Sequence, residues 1–193
     1  MLNDRVLFWP GRGKPKNVLS DFLAGLGRTY EVYIFPFEYD SGEKPFCRDS
    51  SWCRWLQEHN FSWWCGLSLG ASFACVMSSL CPPERLTLIN PFSSRKILAQ
   101  EKGFTLGTQW DFSPADFCPE VREAEIAVSV HDEKIPVWHG LHLLNKIRAG
   151  HKRLILVDGN HCIDDHEAQT ELADILTGDI DGETKHCYVY QRQ

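Results

Sequence analysis

Short runs of apolar residues alternate along the chain with stretches in which apolar positions recur every three or four residues. Continuous runs rich in Val, Ile, Leu and aromatic residues are typical of buried strands, whereas the wider spacing is typical of amphipathic helices. Helices are therefore predicted between the runs; Val18, Phe22 and Leu26, for example, share one helical face. The predicted main strands are Val6–Trp9, Tyr30–Phe35, Phe61–Cys65, Leu86–Ile89, Ile126–Val130 and Leu154–Val157.

The alternation of strand and helix predicts an α/β protein with three αβα layers, in which a reduced, mostly parallel sheet of about six strands lies between helices. A chain of 193 residues is long enough for a single domain, 1–193, with its own core. Within it, 92–122 is predicted to be an irregular, minimal lid, and 178–193 a polar C-terminal tail with a strand near Tyr188–Tyr190. Functional side chains are expected in the loops after the strands, because ligands bind at the carboxyl ends of such sheets.

The first loop of interest contains Gly66-Leu67-Ser68-Leu69-Gly70, after a predicted strand and before a predicted helix. A serine between two such glycines can occupy a sharp turn that exposes its hydroxyl for nucleophilic attack. A glycine-rich turn that only packs the strand against the helix is the alternative interpretation. Because the flanking elements are those that the motif requires, Ser68 is the candidate nucleophile.

Two later loops supply a candidate acid and a candidate base. Asp132 follows the fifth predicted strand, with Glu133 as the alternative acid, and His161 follows the sixth, with His166 as the weaker candidate base. Exposed side chains without a role are the alternative in each case. A serine nucleophile needs a histidine to take its proton and an acid to orient that histidine. The chain order Ser, Asp, His is the order of the α/β-hydrolases.

Stabilisation of an oxyanion requires backbone N–H groups aimed at the developing negative charge. We predict that the N–H of Leu69 provides one of them and the N–H of Arg12, in the loop after the first strand, the other. Gly11 and Gly13 in that loop lack the third glycine of a dinucleotide-binding fingerprint, so a nucleotide cofactor is not expected.

At these residues the sequence resembles the α/β-hydrolase superfamily, and within it the short, nearly lidless bacterial esterases of the YqiA type. The resemblance is carried by Gly66-Leu67-Ser68-Leu69-Gly70, Asn90-Pro91, Asp132 and Gly159-Asn160-His161. It implies the α/β-hydrolase fold and hydrolysis of a carboxylic ester or thioester through an acyl-serine intermediate. In that reaction Ser68 would be the nucleophile, Asp132 the acid and His161 the base.

Charge and cysteine content narrow the range of partners. The chain has a net charge of −6, and Asp158–Glu183 contains nine acidic residues and no Lys or Arg, which argues against nucleic acid as a partner. This acidic stretch is also expected to disfavour strongly anionic substrates near His161. The eight cysteines form no CxxC pair, so neither a metal nor a redox site is predicted and no cofactor is expected.

No apolar stretch is long enough for a membrane-spanning helix, so membrane insertion is not expected. The amino-terminal residues lack the apolar run of a signal peptide, and a cytoplasmic location is therefore expected. The expected partner is a small-molecule acyl ester or thioester, including an acyl group tethered to a protein. Aromatic loop residues could line its pocket or pack in the core: Tyr39, Phe104, Trp110, Phe112 and Phe117.

Two alternative functions stay open from the sequence. An acyltransferase would use the same three residues, with an alcohol or an amine in place of water. A non-catalytic binding protein would keep the fold without the reaction, although an intact set of Ser68, Asp132 and His161 argues against it.

Overall fold

A seven-stranded sheet forms the centre of the computed structural model, which describes residues 5–11, 19–36, 48, 50–105, 112–117, 119–179 and 184–192. The strand order is β2-β1-β3-β4-β5-β6-β7. Every neighbouring pair is parallel except β6 and β7, which are antiparallel. The strands are β1 (Arg5–Trp9), β2 (Glu31–Ile34), β3 (Trp63–Leu67), β4 (Arg85–Ile89), β5 (Glu120–Ser129), β6 (Arg148–Val157) and β7 (Cys187–Arg192).

Helices cover both faces of the sheet, which confirms the predicted three-layer architecture. One face packs against α1 and α6, through residues such as Phe22 and Leu172, and the other packs mainly against α2, α3 and α5. The helices are α1 (Ser20–Leu26), α2 (Ser51–His59), α3 (Leu69–Ser78), α4 (Arg95–Lys102), α5 (Val137–Lys146) and α6 (His166–Thr177). Among the described residues, none of these helices combines the length and apolar character needed to cross a membrane.

The segment 92–122 is more regular than the sequence indicated. It contains α4 and the first residues of β5, so the prediction of irregular structure throughout it was wrong. The Ser94 hydroxyl accepts a hydrogen bond from the N–H of Ile97 at the amino end of α4, and Gly103 ends the helix with a φ of 70°. These are ordinary helix-capping signals. The helix is nevertheless hard to predict from hydrophobic periodicity, because Leu98 and Ala99 are the only two of its eight residues that are buried.

A buried carboxylate joins three neighbouring strands on the α6 side of the sheet. Glu125 of β5 lies beside Thr87 of β4 and Arg153 of β6, and its side chain is 2% exposed. Its carboxylate accepts hydrogen bonds from Thr87 Oγ1 at 2.6 Å, from Arg85 Nε and Nη2 at 3.0 and 2.8 Å, and from Arg153 Nε at 2.9 Å. The Arg85 guanidinium also lies 3.8 Å from the centre of the Trp63 ring. A buried charge is tolerated only with such complete pairing.

Candidate active site

Ser68 occupies the turn between β3 and α3, with φ 54° and ψ −120°. A positive φ is rare for a residue with a side chain and marks local strain. The glycines on either side are required by close contacts. A Cβ atom on Gly70 would lie 2.2 Å from the carbonyl oxygen of Pro10, and one on Gly66 would lie 2.8 Å from the backbone of Ala71. The turn is therefore as sharp as the sequence motif predicts.

The structure brings the three predicted side chains together. His161 Nε2 lies 2.9 Å from Ser68 Oγ, and His161 Nδ1 lies 2.7 Å from Asp132 Oδ2. Because a carboxylate only accepts hydrogen bonds, Nδ1 carries the proton, and the lone pair of Nε2 faces the serine hydroxyl. The side chains of His161 and Asp132 are 9% and 1% exposed, so this pair is largely shielded from water.

Backbone N–H groups fix the carboxylate of Asp132. Its Oδ1 atom accepts hydrogen bonds from the N–H groups of Lys134 and Ile135, each at 2.8 Å. This leaves Oδ2 for His161 and holds the carboxylate in one orientation. The arrangement depends on the residue being Asp, since the short side chain reaches the backbone two and three residues further on.

The two alternative candidates lie elsewhere. His166 is at the first turn of α6, where its Nδ1 atom contacts the Asp21 carboxylate, which raises the pKa of the imidazole. Glu133 is exposed and lines the cavity described below, whereas the carboxylate that reaches the His161 ring is that of Asp132. The structure therefore places Ser68 with Asp132 and His161, and with neither alternative.

Asn90 supports the site in a way that the sequence did not reveal. It directly follows β4 and has a φ of 47°. Its Nδ2 atom donates to the carbonyl oxygen of His161 and to Ser129 Oγ, both at 2.9 Å. Its Oδ1 atom accepts from the N–H of Ser129 at 2.7 Å. One buried side chain thus ties the ends of β4 and β5 to the loop that carries His161. An Asn-Pro pair is a turn signal, but its partners lie far away in the chain.

The described part of the loop after β1 passes beside Ser68. A Cβ atom on Gly11 would lie 3.5 Å from Ser68 Cβ. Leu69 is the first residue of α3, where backbone N–H groups have no partner within the helix. Its predicted partner in oxyanion binding, Arg12, lies outside the described residues.

A cavity of about 580 Å³ opens onto Ser68 and His161. Its apolar lining consists of Leu69, Phe92, Leu98, Phe104 and Ile135. Its charged lining consists of Arg95, Lys102, Glu133 and Lys134. Lys102 Nζ donates to the carbonyl oxygen of Glu133 at 2.7 Å, which joins α4 to the Asp132 loop.

The aromatic loop residues divide between the cavity and the core. Phe104 lines the cavity, as one of the two interpretations proposed. Phe112 is buried against Phe73, with 4.8 Å between ring centres, and Phe117 packs against the core. Tyr39 and Trp110 lie outside the described residues.

A buried histidine of α5 contacts both ends of the segment that contains α4. His139 Nδ1 accepts hydrogen bonds from the N–H and the hydroxyl of Ser93, at 3.1 and 2.8 Å. Its Nε2 atom lies 3.2 Å from the Glu101 carboxylate. Burial lowers the pKa of His139 below its ordinary value, and Lys102 and His142 lower it further, although Glu101 acts in the opposite direction.

We expect the stability of the protein to depend on pH through His139. Unfolded His139 has a pKa of about 6.5, and the folded pKa is lower. Its contribution to stability is therefore complete above about pH 6.5 and is lost as the pH falls toward the folded pKa. Urea unfolding at pH 7.5 and 5.5 measures this loss. In His139→Asn, whose amide oxygen can still accept from Ser93, the loss should be smaller; an equal loss would contradict the assignment.

Among the described residues, no group of three or more His, Cys, Asp or Glu side chains is arranged to hold a metal ion. The described site brings together a hydroxyl, an imidazole and a carboxylate in hydrogen-bonded sequence.

Neither a known protein family nor a curated protein matches the sequence. Solved structures do match. An esterase domain from Rhodothermus marinus is 13% identical over 92% of this chain and 86% of that chain, with a TM-score of 0.66. An esterase from Pyrococcus furiosus is 12% identical over 91% and 83%, with a TM-score of 0.67.

An enol-lactonase from Burkholderia xenovorans is 15% identical over 90% of this chain and 91% of that chain, with a TM-score of 0.64. At such low identities the likeness concerns the fold, and the similarity to the YqiA-type esterases stays a resemblance of sequence. With seven strands and six α-helices among its described residues, and with these structural neighbours, the chain has the α/β-hydrolase fold.

Proposed function

We propose that the protein is a serine hydrolase that cleaves a carboxylic ester or thioester through an acyl-serine intermediate. The observation that carries the proposal is the hydrogen-bonded sequence from Ser68 Oγ to His161 Nε2 and from His161 Nδ1 to Asp132 Oδ2, at 2.9 and 2.7 Å. The esterase and lactonase names of the structural neighbours support the same reaction class.

In the proposed reaction, Ser68 Oγ attacks the acyl carbonyl carbon while His161 Nε2 takes the hydroxyl proton. Asp132 stabilises the resulting imidazolium. The negative charge on the former carbonyl oxygen would be held by the N–H groups of Leu69 and Arg12. His161 then returns the proton to the departing alcohol or thiol, and a water molecule, activated by the same imidazole, releases the acid from Ser68.

A fluorophosphonate probe tests the nucleophile directly. We expect one covalent adduct on the folded protein, located at Ser68 by peptide mass spectrometry, and none on Ser68→Ala. Ser51→Ala, which changes an exposed serine of α2, is the control and should label like the wild type. Absence of an adduct from the folded wild-type protein would contradict the proposal and would favour a non-catalytic binding protein.

The proposed hydrolase is separated from an acyltransferase by its products. With an activated ester in water, the free acid should account for the acyl group released. Added alcohols or amines should divert only a minor part of it. Transfer of most of the acyl group to an added acceptor at millimolar concentration would identify a transferase that uses the same residues.

A further inference from the structure

The cavity beside Ser68 has a charge opposite to that of the whole chain. The chain has a net charge of −6, whereas the described lining contains three cationic side chains and one carboxylate. The cationic residues are Arg95, Lys102 and Lys134, and the carboxylate is that of Glu133. Such a local excess of positive charge attracts anionic molecules into the cavity, although the protein as a whole is acidic.

Helix α4 directs part of this charge toward the cavity. Arg95, Leu98 and Lys102 are three and four residues apart, so they lie on one face of the helix, and all three line the cavity. Lys96 and Gln100, between them in the sequence, are exposed and do not line it. The helix therefore presents two cations, separated by an apolar residue, to the space beside Ser68.

The ammonium groups of the lining are not neutralised within the described part of the protein. Lys102 donates to the carbonyl oxygen of Glu133 and not to its carboxylate. Among the described residues, neither Lys102 nor Lys134 takes part in an ion pair. A carbonyl oxygen uses one ammonium hydrogen and leaves the charge for another partner.

We infer that the substrate of the proposed hydrolase carries an anionic group, a carboxylate or a phosphate, in addition to the ester or thioester that Ser68 attacks. The apolar lining, including Phe92, Leu98 and Ile135, suits a hydrocarbon portion of the substrate, and the cations suit the anion. A charged group in a cavity with apolar walls interacts more strongly than it does in bulk water. The inference rests on the proposed function, and it specifies the substrate class.

This inference replaces the expectation, based on the acidic stretch Asp158–Glu183, that anionic substrates are disfavoured. The acidic residues are counted along one segment of the chain, but the Lys, Arg and Glu side chains that line the cavity belong to α4 and to the loop after β5. The sign of the charge at the site is therefore set by segments that lie next to Ser68 only after folding.

Two pairs of esters test where the anion is recognised. For the acyl side, mono-4-nitrophenyl adipate is compared with 4-nitrophenyl hexanoate. For the leaving group, 4-(carboxymethyl)phenyl hexanoate is compared with 4-(carbamoylmethyl)phenyl hexanoate, and uncatalysed hydrolysis is subtracted. We expect the anionic member of one pair to be preferred in kcat/KM by about tenfold or more at low ionic strength. The preference should shrink as salt is added.

Substitutions on α4 test which residues produce the preference. Arg95→Met and Lys102→Met should each lower the anionic-to-neutral ratio of kcat/KM about fivefold or more. Lys96→Met removes an exposed cation from the same helix and should leave the ratio as it is in the wild type. Equal hydrolysis of both members in both pairs would overturn the inference and leave the proposed hydrolase in place.

A binding experiment separates this inference from the proposed function. Ser68→Ala is titrated by calorimetry with adipic acid monoanilide and with neutral hexananilide, since amides are poor substrates. Tighter binding of the anionic anilide, weakened by Lys102→Met, supports the cationic site even if no ester is hydrolysed. If esters are hydrolysed but the two anilides bind equally and both ester pairs react equally, the anionic substrate class is excluded.

Discussion

Replacing Ser68 with alanine is expected to lower kcat/KM for 4-nitrophenyl butyrate by about four orders of magnitude. Alanine removes the only atom that the proposed mechanism joins to the acyl group, while the cavity and the bonded pair of His161 and Asp132 remain. Steady-state kinetics on matched preparations, with near-ultraviolet circular dichroism to verify folding, measures the loss. Retention of more than a tenth of the activity would show that Ser68 is not the nucleophile.

The backbone of Ser68 adds a second expectation for this site. Its φ of 54° and ψ of −120° fall in a region that costs a residue with a side chain about 1–3 kcal/mol. Ser68→Gly should therefore be as inactive as Ser68→Ala and more stable than it by about 1 kcal/mol, because glycine adopts this conformation without strain. Urea unfolding of the two variants gives the difference. A glycine variant no more stable than the alanine variant would contradict the strain.

Replacing Glu125 with glutamine is expected to lower the free energy of unfolding by about 3–5 kcal/mol. The carboxylate is 2% exposed and receives hydrogen bonds from Thr87, Arg85 and Arg153. Glutamine has nearly the same shape, but it leaves two guanidinium groups without the buried negative charge that they share. Urea denaturation at pH 7.5 measures the loss directly.

The control for Glu125→Gln lies two residues earlier in the same strand. Glu123 pairs with Arg122 at 3.0 Å, and both side chains are partly open to water. Exposed pairs of this kind contribute up to about 1 kcal/mol, so Glu123→Gln should cost no more than that. Equal losses for the two variants would mean that the buried cluster contributes no more than an ordinary surface pair.

The strands were predictable where apolar residues run continuously, and less so where charges take part in the sheet. The first six residues of β5 and of β6 were missed, and they include Glu125 and Arg153. These two residues look like surface positions in their own segments. Only their pairing across neighbouring strands explains why charged residues occur inside the sheet.

The candidate site was predictable to the extent that each residue follows a strand. Ser68, Asp132 and His161 all meet this condition, and the geometry of parallel strands brings their loops to one edge of the sheet. The role of Asn90 was not predictable, because its partners come from two other parts of the chain. The cationic character of the cavity was hidden for the same reason, since Arg95 belongs to a segment that looked irregular.

Strand β7 makes the carboxyl-terminal segment part of the support for the imidazole. The N–H of Asp158, directly after β6, donates to the carbonyl oxygen of His186 at 2.6 Å. The N–H groups of His186 and Cys187 donate to the Glu171 carboxylate of α6. These hydrogen bonds hold the first residue of the loop that leads to His161 against the carboxyl-terminal segment. An affinity tag or fusion partner placed directly after β7 would disturb these hydrogen bonds. The amino-terminal side is therefore the better place for one in any activity assay.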